Sequence, residues 1–438
     1  MKPNLRMYAL LCASLVFSTC ASAQIGARFP SERKVINDPV TGAKLTFLTS
    51  KPHGDSKIYP THTQWTSDGK WVLFRSRLAQ GEALAVNEES GDIVQVSEGG
   101  YEGMLNAARK SMKLYFLRKA ATPQIIEVDL EKLFADSAAR KLKPADAYQR
   151  VAGTIPAGME ATGDTALDAD EEWLYFRIGK TEAARHLAPH TRLEASFGPR
   201  NMGAGPGGIA RMNVRTGEIR HVISVPFQVG HIQANLWNPG EIIFCWETGG
   251  KSPQRTWTVM ADGSGLRPLY PEASYEWVTH EAVISKDEVA MAIMGHRPVP
   301  GLPKAGAPAG TDVQGANPGQ DSAWGQTGTR EKPTGLAIVN LRTREMTIAG
   351  QTPSGSGLWH VHGSSDGRWA VGDDFDRNLY LLTSSPPERT AIPTAPRADL
   401  RGASVGSYFI ERSDCTDSPQ AKTRCPRAKT LIAPTTSA

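Results

Sequence analysis

The sequence predicts an all-β protein and, within that class, a β-propeller. Three observations carry the prediction. A unit of strand, Asp-containing turn, strand, turn and strand recurs along the chain. Its first copy sets four strands in about forty residues, the length of a four-stranded blade. Helix-period patterns are nearly absent between the copies, and short strands at even spacing argue for an all-β class.

The clearest copy spans residues 358–382, LWHVHGSSDGRWAVGDDFDRNLYLL. LWHVH reads as a strand, Ser364-Ser365-Asp366-Gly367 as a tight turn and RWAVGDD as a second strand. Asp376-Arg377-Asn378 then turns the chain into LYLL. Asp-Gly between alternating apolar runs is a hairpin signal, because the turn needs positive φ and glycine supplies it without strain.

In chain order, residues 24–43 read as an extended lead-in and KLTFLT (44–49) as a short strand. The first copy has a strand at 59–65, the turn Thr66-Ser67-Asp68-Gly69, then KWVLFRSR, ALAVNEE and IVQVSEGG. The second has MLNAAR, KLYFLRKA and QIIEVDL, then a helix-like insert, EKLFADSAARKL, before AYQRVAG. The third has residues 162–167, the turn Asp168-Ala169-Asp170-Glu171 and EWLYFRIG. After a charged, Gly-rich excursion it resumes with GIARMNV and IRHVIS. The fourth has GHIQANL, IIFCWE, RTWTVMA and LRPLY; the fifth has EWVTHEAVI, VAMAIMG, GLAIVNL and MTIAG. Inside the fifth, residues 297–333 are dense in Gly and Pro and read as a long surface loop. Residues 358–382 are the sixth copy. From Ser384 on, apolar alternation fades and Pro, Arg, Ser and Thr dominate. Either the tail is disordered or an original last blade has been lost. The resulting division is a leader at 1–23, one propeller domain at 24–394 and an atypical tail at 395–438.

The chain has 438 residues, 40% hydrophobic and 21% charged, with a formal net charge of +4. That is ample for a large core and gives no case for nucleic acid as a partner. Lys2 and Arg6, an apolar run over 8–17 and Ala21-Ser22-Ala23 make an export signal with its cleavage site. The run is too short for a permanent membrane anchor. The expectation is a periplasmic or secreted protein with no integral membrane segment after cleavage. Cys245 lies in an apolar strand pattern and reads as a small buried hydrophobe. Cys415 and Cys425 could pair in an oxidising compartment.

Counting back from each first turn, His62, His280 and His360 fall at one register, five residues before Ser67, Ser285 and Ser365. Matching EWLYF to KWVLF places Asp164 there in the third copy, and Gln233 there in the fourth, with His231 two residues earlier. His362 follows His360 by two. Even offsets along a strand share a face, and first strands line a propeller's channel. The expectation is an axial ring of His62, Asp164, His231, Gln233, His280, His360 and His362. Wet channels carry polar residues as a matter of course. Half of the ten histidines on one face nevertheless points to a metal or catalytic site, with nitrogen and oxygen donors suited to Mn, Fe, Ni or Zn.

On these segments the chain resembles the oligogalacturonate lyase family over residues 41–382. TGAKLTFLT resembles the family's opening strand, VGHIQ the segment of its catalytic base, and FCWETGG, MADGSG and THEAVISKDE the stretches that follow. The resemblance implies a seven-bladed propeller, six blades being readable here, that cleaves pectin fragments by β-elimination with Mn. It implies His231 as general base and His280 as a metal ligand; His360 and His362 are the candidates for further ligands on their H-x-H spacing, and His62, Asp164 and Gln233 of the ring would face the uronate oligosaccharide. Departures are visible. The family's Q-x-x-H-x-H run is absent after residue 384, and His360-x-His362 has Gly357 where Gln would stand. The family's carboxylate-binding Arg falls near Pro206-Gly207, leaving Arg200, assigned a catalytic role, and Arg211 as candidates. Many family members act in the cytoplasm, whereas this chain carries an export signal. The alternatives are a non-catalytic propeller of the TolB type and an inactive, truncated relative.

Overall fold

A computed structural model describes residues 24–37, 44–196, 200–250, 252–273, 276–294, 334–350, 358–364, 369–374, 379–383, 392–395 and 431–432. The expected leader, the 297–333 loop, Gly357, Cys415 and Cys425 lie outside them. The protein is a β-propeller. Six antiparallel sheets of four or five strands follow one another along the chain, and a seventh sheet has three. Among the described residues, no helix is long and apolar enough to cross a membrane.

Within each of the six blades the strands are laid down in sequence order, as hairpins dictate. The inner strands are Ser56–Lys57, Glu102–Ala107, Thr165–Leu167, Val229–Ala234, Val278–Val283 and Leu358–Gly363. From the second blade to the sixth, each inner strand packs against the next. The outer strand of the sixth blade is Ile392–Ala395. The lead-in is extended as expected: Arg28–Phe29 adds an outermost strand to the first blade, and Lys34–Asn37 pairs with Lys44–Thr49. Leu431–Ile432, within the atypical tail, pairs in parallel with that second strand to complete the three-stranded sheet.

The core lies between blades. Leu73, Ala85 and Val94 of the first meet Leu105, Leu114, Phe116 and Ile126 of the second. Ile232, Phe244 and Val259 of the fourth meet Tyr175, Ile209 and Phe227 of the third. Strands buried on both faces need near-continuous apolar text, which is why IIFC and AMAI read as runs. The helix-like insert forms Leu130–Ala138. Asp129 caps it by accepting from the Lys132 N–H at 3.0 Å, and Phe134 stacks on Trp71 at 4.1 Å. One element is shorter than expected. The first copy's inner strand is only Ser56–Lys57, followed by a turn in which the His62 N–H bonds Tyr59 O, and Trp65 makes a single bridge to Val72. Pro60, at the centre of that stretch, has no N–H to offer a ladder.

Polar side chains on the inner strands tie neighbouring blades together. Asn106 donates to Thr165 Oγ1 (2.9 Å) and accepts from the Leu167 N–H (3.1 Å). Asp164 accepts from the Ile232 N–H at 3.1 Å. Gln233 donates to Glu281 O at 2.8 Å and accepts from the Val283 N–H at 3.2 Å. A buried amide with both ends paired is a structural tie.

Candidate active site

Four inner strands break register near their start: at 231–232, 280–281 and 359–360 two residues oppose one, and at 103–104 two residues are inserted with none opposite. A bulge re-aims side chains out of the pleat. Gly103 takes the first unpaired position with φ +73°. His231 and His280 take it in the fourth and fifth blades with φ +49° and +52°. The bulges therefore make His231, rather than Gln233, the structural counterpart of His280. The turn after Gln233 is longer, so counting back from it gave a register two residues off.

A cavity of about 600 Å³ opens here. His231, His280, Asp164, Glu247, Tyr59, Trp277 and Trp359 line it, together with three guanidinium groups, Arg177, Arg200 and Arg255. The ring of His231 lies 5.0 Å from that of Tyr59, and His280 lies 6.2 Å from it. His360 packs on His280 with ring centres 4.5 Å apart. The structure thus brings His231, His280, His360, Asp164 and Arg200 to one place. It separates His62 and His362, which line a second cavity of about 390 Å³ with Arg109 and Trp237. Gln233 is 1% exposed and used up in its two bonds between blades. His62 is also satisfied: Nε2 donates to Thr165 O at 2.6 Å, so Nδ1 accepts from Thr61, and burial pulls its pKa down to about 4. Arg211 packs on Trp173 at 4.3 Å, away from the cavity.

His231 sits between two carboxylates. Its Nε2 is 3.3 Å from Glu247 Oε2, and its Nδ1 is 3.4 Å from Glu281 Oε1 and 3.1 Å from Arg255 Nη2. Burial alone would lower the pKa of the ring, but Glu281 first and Glu247 after it raise it above the ordinary value, against Arg255. Arg255 is 3% exposed and bridges the carboxylates, with Nε 3.2 Å from Glu281 Oε2 and Nη2 3.7 Å from Glu247 Oε2. Burial pushes Glu281 up, yet Arg255 and then His231 bring it to about 2. Cys245 packs under this cluster fully buried, and burial holds its thiol protonated. Sequence reading left Arg255, Glu247, Glu281, Arg177 and Tyr59 without roles. Glu281 and Glu247 stood in the quoted segments THE and FCWETGG, whereas nothing in QRTW marked Arg255.

His280 and His360 offer donors for a divalent cation. The Nδ1 of His280 is 3.2 Å from Thr279 Oγ1, and that of His360 is 3.3 Å from Asp373 Oδ2; among the described residues Nε2 has no hydrogen bond on either. A partner on the second ring nitrogen is the usual support of a ligating imidazole. Burial and the neighbouring His360 keep His280 well below its ordinary pKa, hence neutral. His362 has a buried Nδ1 without a hydrogen bond, but it faces the second cavity.

The class defined so far is a β-propeller with an ionisable, histidine-bearing cavity at the start of its inner strands. No family model and no curated protein sequence matches the chain. Among solved structures it is similar to an oligogalacturonate lyase in complex with manganese, at 17% identity and TM-score 0.61. That likeness covers 86% of this chain and 87% of the other. It is similar also to the oligogalacturonate lyase of Vibrio parahaemolyticus, at 18% identity and TM-score 0.61, with 88% of each chain covered. At these identities the likeness establishes the fold.

Proposed function

We propose that the protein is an exported lyase that cleaves oligogalacturonate, or a related uronate oligosaccharide, by β-elimination. The observation that carries this reading is His231 held between Glu247 and Glu281 in a cavity shared with His280 and three arginines. Guanidinium groups match the uronate carboxylates, and the faces of Trp277 and Trp359 suit a sugar ring. Elimination uses the neutral tautomer of His231 with its proton on Nδ1 toward Glu281 and with Arg255 Nη2, 3.1 Å from Nδ1 in the structure, drawn onto the carboxylates, so that Nε2 faces the C5 hydrogen. That proton moves to Nε2, its electrons form the C4=C5 double bond, and the C4–O bond breaks. The proton passes to the leaving oxygen or to water. Glu247 and Glu281 stabilise the imidazolium as it forms. Mn, or another divalent cation held by His280 and His360, would polarise the uronate carboxylate and acidify C5–H. The test is incubation with short uronate oligomers and Mn, following unsaturated product in the near ultraviolet. Product formation by wild type and its loss in His231→Ala support the reading. Absence of product from every uronate oligomer overturns it and favours the TolB-type binding module.

A further inference from the structure

His231, Cys245 and Glu281 place one nitrogen, one sulfur and one oxygen donor within 4.8 Å of one another. Cys245 and Glu281 are both 0% exposed. Among the described residues Glu281 Oε1 makes no hydrogen bond within normal reach and has the His231 imidazole, 3.4 Å away, as its ion-pair partner. This buried oxygen, the thiol and the imidazole together are the donor types of a tetrahedral Zn site. We propose that these three side chains form an inhibitory site for a thiophilic divalent cation, Zn(II) or Cd(II), distinct from the His280–His360 pair.

Binding forms metal–sulfur, metal–nitrogen and metal–oxygen bonds, and the Cys245 thiol proton leaves to solvent. Charge then balances: the dication and the Arg255 guanidinium face the Glu247 and Glu281 carboxylates and the new thiolate. Arg255 Nη2, 3.1 Å from His231 Nδ1, swings toward Glu247. Ligand bonds of about 2.0–2.3 Å require the donors to draw in by roughly an ångström. Mn(II) prefers oxygen and nitrogen donors and leaves the thiol alone, whereas Zn(II) takes it. A cation here removes His231 from proton transfer. The inhibitory role rests on the proposed elimination; the binding does not.

The experiment uses the full chain, reduced, with Cys12, Cys20, Cys415 and Cys425 each replaced by Ser so that Cys245 is the thiol under test. Co(II) is titrated as a coloured stand-in for Zn(II). The expected result is a thiolate-to-cobalt charge-transfer band saturating at one equivalent, bleached by Zn(II), lost in Cys245→Ala and in the better-filled Cys245→Ser, and weakened at least tenfold in affinity in Glu281→Gln. No band, or a band that persists in both Cys245 variants, overturns the site. In the activity arm, Zn(II) at the saturating ratio lowers kcat at least tenfold in the parent and less than twofold in Cys245→Ser. Equal inhibition in the two overturns the inhibitory role. A chain without lyase activity leaves the cobalt titration as the deciding measurement, which separates failure of this site from failure of the proposed function.

Discussion

Replacing Arg255 by Met keeps the length of the side chain and removes its charge, which leaves two carboxylates without their buried cation. At 3.2 Å from Glu281 the attraction is about 5 kcal/mol for an effective dielectric near 20. Breaking a buried pair by removing one partner costs about 3–5 kcal/mol, because the other charge stays desolvated. Glu281 is 0% exposed and cannot turn to water. We therefore expect Arg255→Met to lose about 3–5 kcal/mol at neutral pH, a large share of a typical domain's 5–15 kcal/mol. Urea unfolding followed by tryptophan fluorescence measures this. Two controls follow. Arg255→Met/Glu281→Gln should be more stable than Arg255→Met alone. In Arg255→Met, Glu281 loses the group that lowers its pKa, so its pKa rises above the unfolded value. Such a group is stabilising when protonated, so the deficit should narrow as pH falls toward 5. A loss under about 1 kcal/mol, or a double variant no better than the single, would refute the claim that Arg255 neutralises this cluster.

His231→Gln should lower elimination by about 10²–10⁴-fold, the usual share of a positioned base, with product absorbance as the readout. The raised pKa of His231 places the acidic limb of the kcat profile above pH 6.5; activity falls as pH drops through it, and Glu247→Gln moves the limb down by removing a carboxylate. His280→Ala and His360→Ala should each weaken Mn binding at least tenfold, measured by titration calorimetry on chelator-washed protein, whereas Gln233→Glu should act on unfolding rather than on kcat.

Blade number up to the sixth, the helix after Asp129 and the candidacy of His231 and His280 were legible because each leaves a local mark: a turn, an amphipathic run, a short motif. The sharing of the cavity was less legible. Parity along a strand assumes an unbroken pleat, and the bulges at 231–232 and 359–360 break it. His231 and Gln233 therefore diverge in role despite their even spacing, as do His360 and His362. Arg255 was invisible because its partners come from different strands, Glu247 just past the end of Glu241–Trp246 and Glu281 from the next blade. A lone Arg in an outer strand pattern looks like a surface residue until its surroundings are known.

The bulges also supply an internal comparison. At the first unpaired residue of the register break the second blade uses glycine, at φ +73° and pressed against Gly163, and the fourth and fifth use histidine at +49° and +52°. A non-glycine residue in the left-handed region costs roughly 1–2 kcal/mol. Local stability therefore favours glycine, and under the proposed function the histidines offset that cost by the donor atoms they place in the cavity. The consequence is measurable at His280, whose described hydrogen bonding is limited to Thr279. At an ordinary strand position Ala is more stable than Gly by roughly 0.5–1 kcal/mol. At position 280 the order should invert. Both variants lose the same ring contacts with Tyr59, Trp359 and His360, but only Gly relaxes the backbone. His280→Gly is expected to exceed His280→Ala by about 1 kcal/mol in metal-free urea unfolding, with Asn, which tolerates positive φ, between them. Ala more stable than Gly would mean that the backbone at His280 carries no strain, and the bulge would then say nothing about why histidine stands there.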